Sequence, residues 1–379
     1  MRIAFITLTS TIPFGSCDLL NFRTAKLAHE QGHEVLLSVN DFGQLHHKNY
    51  RDIEAAGVRV DRRPMPDITG FASRVTYKIK DKLLSPDRHF KNCFAFKPDY
   101  IFVNNQGTYD FAGSPLAAWL LKTGIPFALL SQHNPEVNGL PSAWYRAART
   151  IFTKANKTFF ISHRNFETAS RSLALPLDNA IEVCNPLSSE TVSYVPYPAS
   201  ERPTMCMAAR FECDVKGQDI LLSVLASDYW KQKDWILNLY GEGPDKAYLE
   251  DLIQFYGLGD RVFLKGYRKT IEDIWAENQL LLMVSITEGT PISLLTAVVA
   301  GRAAVVTNVG GCAEYVADNK TGFVAEAPTF NSLHEALVRA WSHRHEWEAY
   351  GLAARKFALE KIDFTPEKTI LAAITGQKS

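Results

Sequence analysis

The stretch SITEGTPISLLTAVVAGRAAVVTNVGGCAEYVADNKTGFVAE (285–326) decides the fold. It continues an apolar run, LLLMVS (280–285), and turns through Glu288, Gly289, Thr290 and Pro291. An apolar helical stretch, ISLLTAVVAG (292–301), then leads into a second apolar run, AAVVTNV (303–309). Strand, turn, helix and strand make a βαβ unit, and such units build parallel sheets. Pro291 fits the first helical position, where its missing N–H costs nothing. Free N–H groups and the helix dipole at that end favour an anion. The Glu288 carboxylate at the mouth of such a helix can accept hydrogen bonds from hydroxyl groups. The segment therefore suits a sugar beside a phosphate, although a plain turn with Glu288 as a surface charge fits the same residues.

Outward from this stretch the pattern repeats. IAFITL (3–8), HEVLLSV (33–39), GVRVDRRP (57–64), DYIFVNN (99–105), PFALLSQ (126–132), KTFFISH (157–163) and IEVCNPL (181–187) read as strands of a first domain. TMCMAAR (204–210), WILNLYG (235–241), DRVFLKG (260–266), LLLMVS, AAVVTNV and TGFVAE (321–326) read as strands of a second, with helical stretches between most of them. The polar, proline-bearing stretch around 188–203 separates them, as a linker does. The expected division is an N-terminal Rossmann-like domain over 1–190, a Pro-rich linker over 191–203, a C-terminal Rossmann-like domain over 204–350, and a helical tail over 351–379 that packs back on the first domain. Two doubly wound α/β domains hold ligands at the carboxyl ends of their strands, but many chemistries use that fold.

Composition narrows the classes. The chain has 379 residues, 46% hydrophobic and 22% charged, which is globular and not disordered. Its 41 basic and 41 acidic residues cancel, so no overall nucleic-acid footprint exists. The six cysteines, at 17, 93, 184, 206, 213 and 312, form no CxxC pair and read as idle thiols in a reducing compartment. No run reaches the ~18 apolar residues of a membrane span. The nearest, FAGSPLAAWLLKTGIPFALL, is interrupted by Pro115, Lys122 and Pro126. The N-terminus MRIAFITLTSTIPFGSC imitates a short leader ending at Cys17, but a strand entering a glycine turn explains it better.

Three further places can carry chemistry. In AARFECDVKGQDILL (208–222), Arg210 and Lys216 follow a strand six residues apart, ahead of a helix opened by Gly217. A guanidinium and an ammonium there suit a pyrophosphate, and two solvated cations are the plain alternative. The first turn, PFGSCD (13–18), is a glycine loop without GxGxxG and so without a dinucleotide fingerprint. His133, in SQHNPE (131–136), follows an apolar strand, where a histidine is structural or faces a ligand.

These motifs, with LYGEGPDKAYLEDLI, DRVFLKGY and TGFVAE in order, resemble the retaining GT-B glycosyltransferases of glycosyltransferase family 4 (glycosyl transferases group 1). The resemblance is specific in the second half. In the first half KPDYIFVNN, IPFALLSQHN, FFISHRN and VCNPL agree more loosely. It implies a GT-B fold of two Rossmann-like domains facing a cleft, the N-terminal one binding the acceptor and the C-terminal one the nucleotide-sugar donor. It also implies transfer from a nucleotide-diphosphate sugar to a glycan or lipid-linked glycan acceptor in cell-surface polysaccharide or lipopolysaccharide synthesis. Arg210 and Lys216 correspond to the pair that neutralises the donor diphosphate. Glu288 corresponds to the first glutamate of the Glu-x7-Glu motif, on the donor sugar. Gly289, Thr290, Pro291, Ile292 and Ser293 correspond to the loop on sugar and phosphate, and Gly241, Gly266 and Tyr267 belong to the donor site, the last two at the nucleobase. Gly15 and Ser16 match the glycine pair near the diphosphate, and His133 a histidine near the transferred sugar. The second glutamate, which holds the ribose diol in the family, is Thr296 here, a neutral and weaker acceptor.

Asp and Glu are dispersed, so neither a metal nor another cofactor is expected, and Arg210 and Lys216 would carry the developing charge instead. A degenerate sugar-binding or scaffold partner of an active transferase is the alternative on the same fold. Residues 59–91 and 144–157 are basic with apolar residues interleaved, which suits peripheral contact with anionic lipid from the cytoplasmic side.

Overall fold

The computed structural model describes residues 1–9, 14–43, 48–64, 90–109, 111–112, 114–134, 136, 140–187, 193–268 and 270–376. They form two compact units, Met1–Pro186 with Thr365–Ser379, and Leu187–Phe364. The first contains β1 (Arg2–Thr7), β2 (Glu34–Asp41), β3 (Arg59–Pro64), β4 (Tyr100–Asn105), β5 (Phe127–Ser131), β6 (Lys157–Phe160) and β7 (Ala180–Glu182). They pair in parallel in the order β3-β2-β1-β4-β5-β6-β7. The second contains β8 (Thr204–Ala208), β9 (Ile236–Tyr240), β10 (Val262–Gly266), β11 (Leu280–Met283), β12 (Ala303–Thr307) and β13 (Gly322–Ala325). Their order is β10-β9-β8-β11-β12-β13, also parallel. The order reverses between β1 and β4 and between β8 and β11, the places where doubly wound sheets open toward ligands.

Every apolar run read as a strand contributes one. Helices cover both faces of each sheet, so the strands carry continuous apolar runs in place of alternation. β4 and β12 are buried along their whole length. IEVCNPL is shortened most: pairing ends at Glu182, and Val183 N–H makes one last bond to Phe160 O before Pro186.

The expected domain limits differ from the observed ones in two places. The 190/191 boundary lies outside the described residues, and the units divide at Pro186 and Leu187. Residues 193–203 belong to the second unit and are held there by Arg302. This guanidinium is fully buried and, among the described residues, has no carboxylate partner. It donates to the carbonyls of Val195, Pro196, Trp275, Asn278, Ala300 and Gly301. Its ring-face partner is Tyr197, at 5.4 Å. The tail is also divided. Helix Trp347–Leu359 stays with the second unit, whereas helix Pro366–Thr375 joins the first and buries Ile370, Leu371 and Ile374 beside Ile3, Phe5 and Leu20.

Arg302→Leu removes the one donor group shared by these carbonyls and leaves them buried without that partner. We expect the second unit to lose at least about 3 kcal/mol of stability. Urea unfolding followed by the fluorescence of Trp230, Trp235 and Trp275, which are buried in that unit, measures it.

Candidate functional site

The second unit gathers its site from loops that follow β8, β11 and β12. After β8 the chain forms a short helix, Cys213–Lys216, closed by Gly217 in the left-handed region (φ 69°). A β-carbon at Gly217 would lie 2.5 Å from Val284 O. Ile286 N–H bonds to Val215 O at 2.9 Å, which joins the β8 loop to the β11 loop. From the other side Gly310 (φ 48°) approaches so closely that a β-carbon would lie 2.1 Å from Glu288 O. Gly311 N–H meets Gly289 O at 2.6 Å.

This packing brings Lys216 and Glu288 together, 72 residues apart in sequence. Lys216 Nζ lies 2.5 Å from Glu288 Oε1. Ser285 Oγ donates to the same oxygen at 2.7 Å. Thr307 Oγ1 in turn donates to Ser285 O at 2.6 Å. Ser285 is fully buried and Glu288 is only 8% exposed. Among the described residues none donates to Glu288 Oε2. The result is a carboxylate with one oxygen anchored and the other unused, beside an ammonium.

Arg210 does not join the pair. Its side chain is exposed, and its guanidinium lies 3.5 Å from Glu212. Its carbonyl accepts from the buried Gln218 side chain at 2.8 Å. Gly289, Thr290 and Pro291 are buried, and Ile292 and Ser293 are half-buried at the helix start. Helix Ile292–Val299 begins one residue later than its sequence suggests. Pro291 is its N-cap, and its carbonyl accepts from Leu294 and Leu295.

Beside these loops lies a pocket of about 460 Å³, at the ends of β8, β9 and β10. Gly241, Glu242, Gly243, Leu264 and Gly266 line it over a Phe211 wall. Its size falls within the usual range for small-molecule sites. Gly241 and Gly266, both anticipated for the donor, are bonded to each other, N–H to carbonyl at 2.9 Å. Tyr267, just beyond, is 73% exposed and is not part of the lining.

Thr296 is the residue expected toward a ribose. It is 2% exposed, and its hydroxyl donates to Ser293 O at 3.1 Å within its own helix. Every residue of this helix from Leu294 to Val299 is buried.

In the first unit Gly15 and Ser16 open helix Ser16–Glu30, but the anion position there is filled from within. Asp18 Oδ2 accepts from Gly15 N–H at 2.9 Å. Its other oxygen accepts from Thr7 and Thr9 hydroxyls at 2.6 and 2.7 Å. Burial pushes the Asp18 pKa up, while these donors oppose the shift. The sequence reading singles out neither Asp18 nor Ser285. The available signal for Asp18 is a carboxylate three residues past a glycine N-cap. His133 lies half-buried on the loop after β5, and its carbonyl accepts from Thr108 N–H and Oγ1, both at 2.9 Å. Cys17 is partly buried, and burial followed by the Asp18 charge pushes its thiol up to about 12.

Among the described residues no group of three or more His, Cys, Asp or Glu is arranged to hold a metal ion. Nor is any of their helices long and apolar enough to cross a membrane. Most of the basic stretch 59–91 lies outside the described residues. In helix Tyr145–Lys154, from the other basic stretch, Ala148, Ile151 and Phe152 are buried in the core. Arg149 is bonded to the Leu173 and Ala174 carbonyls. The apolar face of this helix is therefore covered by the protein, and Trp144, Arg146 and Lys154 remain exposed.

Two doubly wound units, each built on a parallel sheet, are the architecture of the GT-B fold. Residues 195–357 match the family described as glycosyl transferases group 1. The poly(ribitol-phosphate) alpha-N-acetylglucosaminyltransferase of Staphylococcus aureus is 26% identical over 147 residues, 38% of this chain and 30% of that protein. The GDP-mannose-dependent alpha-(1-6)-phosphatidylinositol monomannoside mannosyltransferase of Mycobacterium tuberculosis is 29% identical over 171 residues, 42% of this chain and 44% of the relative. The chain thus spans less than half the length of these curated relatives. Among solved structures, Anabaena Alr3699/HepE in complex with UDP and glucose aligns over 99% of this chain and 100% of its own, with TM-score 0.73 and 17% identity. A mutant of Staphylococcus aureus TarM, solved with fondaparinux, alpha-GlcNAc-glycerol and UDP, aligns with TM-score 0.70 and 12% identity over 100% of this chain and 99% of its own. At these identities the likeness establishes the fold.

The buried setting of Thr296 gives a direct test. Thr296→Glu would place a carboxylate among apolar side chains, and we expect it to destabilise the second unit by several kcal/mol, on the order of 3. Thr296→Ala loses one intrahelical hydroxyl bond and should cost about 1 kcal/mol. Thermal unfolding of both variants checks the order, and a stable Thr296→Glu would show that the position opens to solvent or ligand.

Proposed function

We propose that the protein is a retaining glycosyltransferase that moves a sugar from a nucleotide-diphosphate donor to a glycan or lipid-linked glycan acceptor. The observation that carries this reading is the convergence of Lys216 and Glu288, from separate βα loops, beside a pocket of nucleotide size. In this reading the nucleotide occupies the pocket past Gly241 and Gly266, and its diphosphate approaches Lys216, with Arg210 as a second cation from the exposed side. Glu288 Oε2 accepts from donor sugar hydroxyls. Negative charge grows on the leaving diphosphate, and fixed cations stabilise that charge. The leaving phosphate takes the acceptor proton as the new glycosidic bond forms on the same face of the sugar. No resident metal is required, since side chains supply the positive charge.

Relatives named for cell-wall polymer and glycolipid synthesis support an acceptor in cell-surface polysaccharide assembly. Peripheral contact with an anionic membrane from the cytoplasmic side is part of the proposal. Exposed Arg146 and Lys154 support it by charge alone.

Incubation of purified protein with UDP-, GDP-, ADP- and dTDP-sugars, followed by product analysis, tests the reading. Donor turnover is expected with one nucleotide class, and anomeric retention by NMR. Binding of sugars without turnover would favour the scaffold reading. Lys216→Ala should lower kcat/KM by about 10²–10³, the loss of a charge-assisted contact worth roughly 2.7–4 kcal/mol. EDTA should leave turnover largely intact, and activity that returns only with added Mg²⁺ or Mn²⁺ would overturn the metal-free mechanism.

Vesicle co-sedimentation tests the membrane part. Reversing Arg146 and Lys154 to Glu should reduce binding to phosphatidylglycerol vesicles, at about 1 kcal/mol per charge near the surface. Binding that ignores both the substitutions and salt would remove this helix from the contact.

A further inference from the structure

We propose that Glu288 discriminates against the spent nucleoside diphosphate, so that the residue that receives the donor sugar also weakens the hold on the product. The inference rests on the reading of Lys216 as a diphosphate ligand and goes beyond it.

The argument begins with the ion pair. Glu288 Oε1 lies 2.5 Å from Lys216 Nζ, and the two side chains are 9% and 20% exposed. A carboxylate this close cancels most of the positive field of the lysine, and little solvent is present to screen the pair. Exposed surface pairs dissolve readily when a competing anion arrives. This one is braced. Ser285, with no exposed surface, donates to the same oxygen, and Thr307 fixes the Ser285 carbonyl. Gly310 packs its backbone against Glu288 O from behind. The carboxylate is held beside Lys216 by both bonds to Oε1. A diphosphate that reaches Lys216 must accept a fixed negative neighbour.

Donor and product differ at this point. A sugar nucleotide brings hydroxyl groups that can donate to Oε2, the oxygen with no donor among the described residues. These bonds offset the repulsion. After transfer the sugar has left, the terminal phosphate carries more negative charge, and Oε2 again lacks that donor. The same carboxylate therefore favours the donor and disfavours the product. Electrostatic competition of this kind lowers product affinity without blocking the pocket that holds the nucleoside.

Titration calorimetry on the full chain tests this with UDP, GDP, ADP and dTDP and the corresponding sugar nucleotides. Glu288→Gln keeps the shape and removes the charge. For the nucleotide that the wild type binds best, it should tighten diphosphate binding about tenfold and narrow the preference for the sugar nucleotide. Lys216→Met should weaken the diphosphate, and adding Glu288→Gln to it should recover part of that loss, because the carboxylate left behind still repels the diphosphate directly. Ser285→Ala, which frees the carboxylate without removing it, should give a smaller gain of about two- to threefold and serves as the readout should Glu288→Gln fail to fold.

Diphosphate binding by Glu288→Gln that is unchanged or weaker, while Lys216→Met still loses affinity, overturns the proposal and leaves the diphosphate role of Lys216 standing. Full diphosphate affinity in Lys216→Met overturns both.

Discussion

Lys216 and Glu288 meet because two stretches of backbone pack closer than any side chain allows. Gly217 sets the β8 loop against Val284 O, and Gly310 sets the β12 loop against Glu288 O. Both residues have positive φ, and both would drive a β-carbon into a carbonyl oxygen. The three loops are thereby stacked at the carboxyl end of the sheet, and the short bonds of Ser285, Thr307 and Gly311 follow from that stacking. A site made in this way is rigid before any ligand arrives, as electrostatic stabilisation requires. It also fixes the two backbone positions from which Lys216 and Glu288 reach each other.

The strands were legible in the sequence because parallel strands covered on both faces carry unbroken apolar runs, and these stand out without any knowledge of their partners. The βαβ order and the glycine turns were legible for the same local reason. Features that depend on distant partners were not. Thr296 could be placed eight residues from Glu288, but its burial depends on distant elements that cover this helix all round, from Leu294 to Val299. Asp18 occupies the helix end that Gly15 and Ser16 leave for a ligand in the sequence pattern, and its donors Thr7 and Thr9 lie across a turn. Arg210 and Lys216 share one loop, yet only the lysine turns inward, because its partner is 72 residues further along the chain.

Each unit also contains a buried guanidinium answered by backbone. In the first, Arg63 donates to the carbonyls of Thr7 and Ser38 and to Asn40 Oδ1, with its face over Phe90 at 5.1 Å. Burial lowers its pKa to about 10. In the second, Arg302 donates to carbonyls alone among the described residues, and burial again lowers its pKa. A carboxylate could neutralise such a charge from many angles. A ring of carbonyls satisfies it in one arrangement, since the fork of donors is planar and fixed. Arg63 thus ties three neighbouring strands, β1, β2 and β3, toward their carboxyl ends, and Arg302 ties residues 195–196 to the helix ends around β12.

The last helix, Pro366–Thr375, belongs to the first unit although the whole second unit precedes it in the chain. Synthesis runs in that order. While the second unit leaves the ribosome, the first already has its seven strands but lacks Ile370, Leu371 and Ile374, so the apolar surface around Ile3, Phe5 and Leu20 is still uncovered. The second unit has no such gap, because all its segments are consecutive. Nascent chains therefore pass through a stage in which the later half can be finished and the earlier half is not, with apolar surface open to chaperones or to other chains until the final turns emerge.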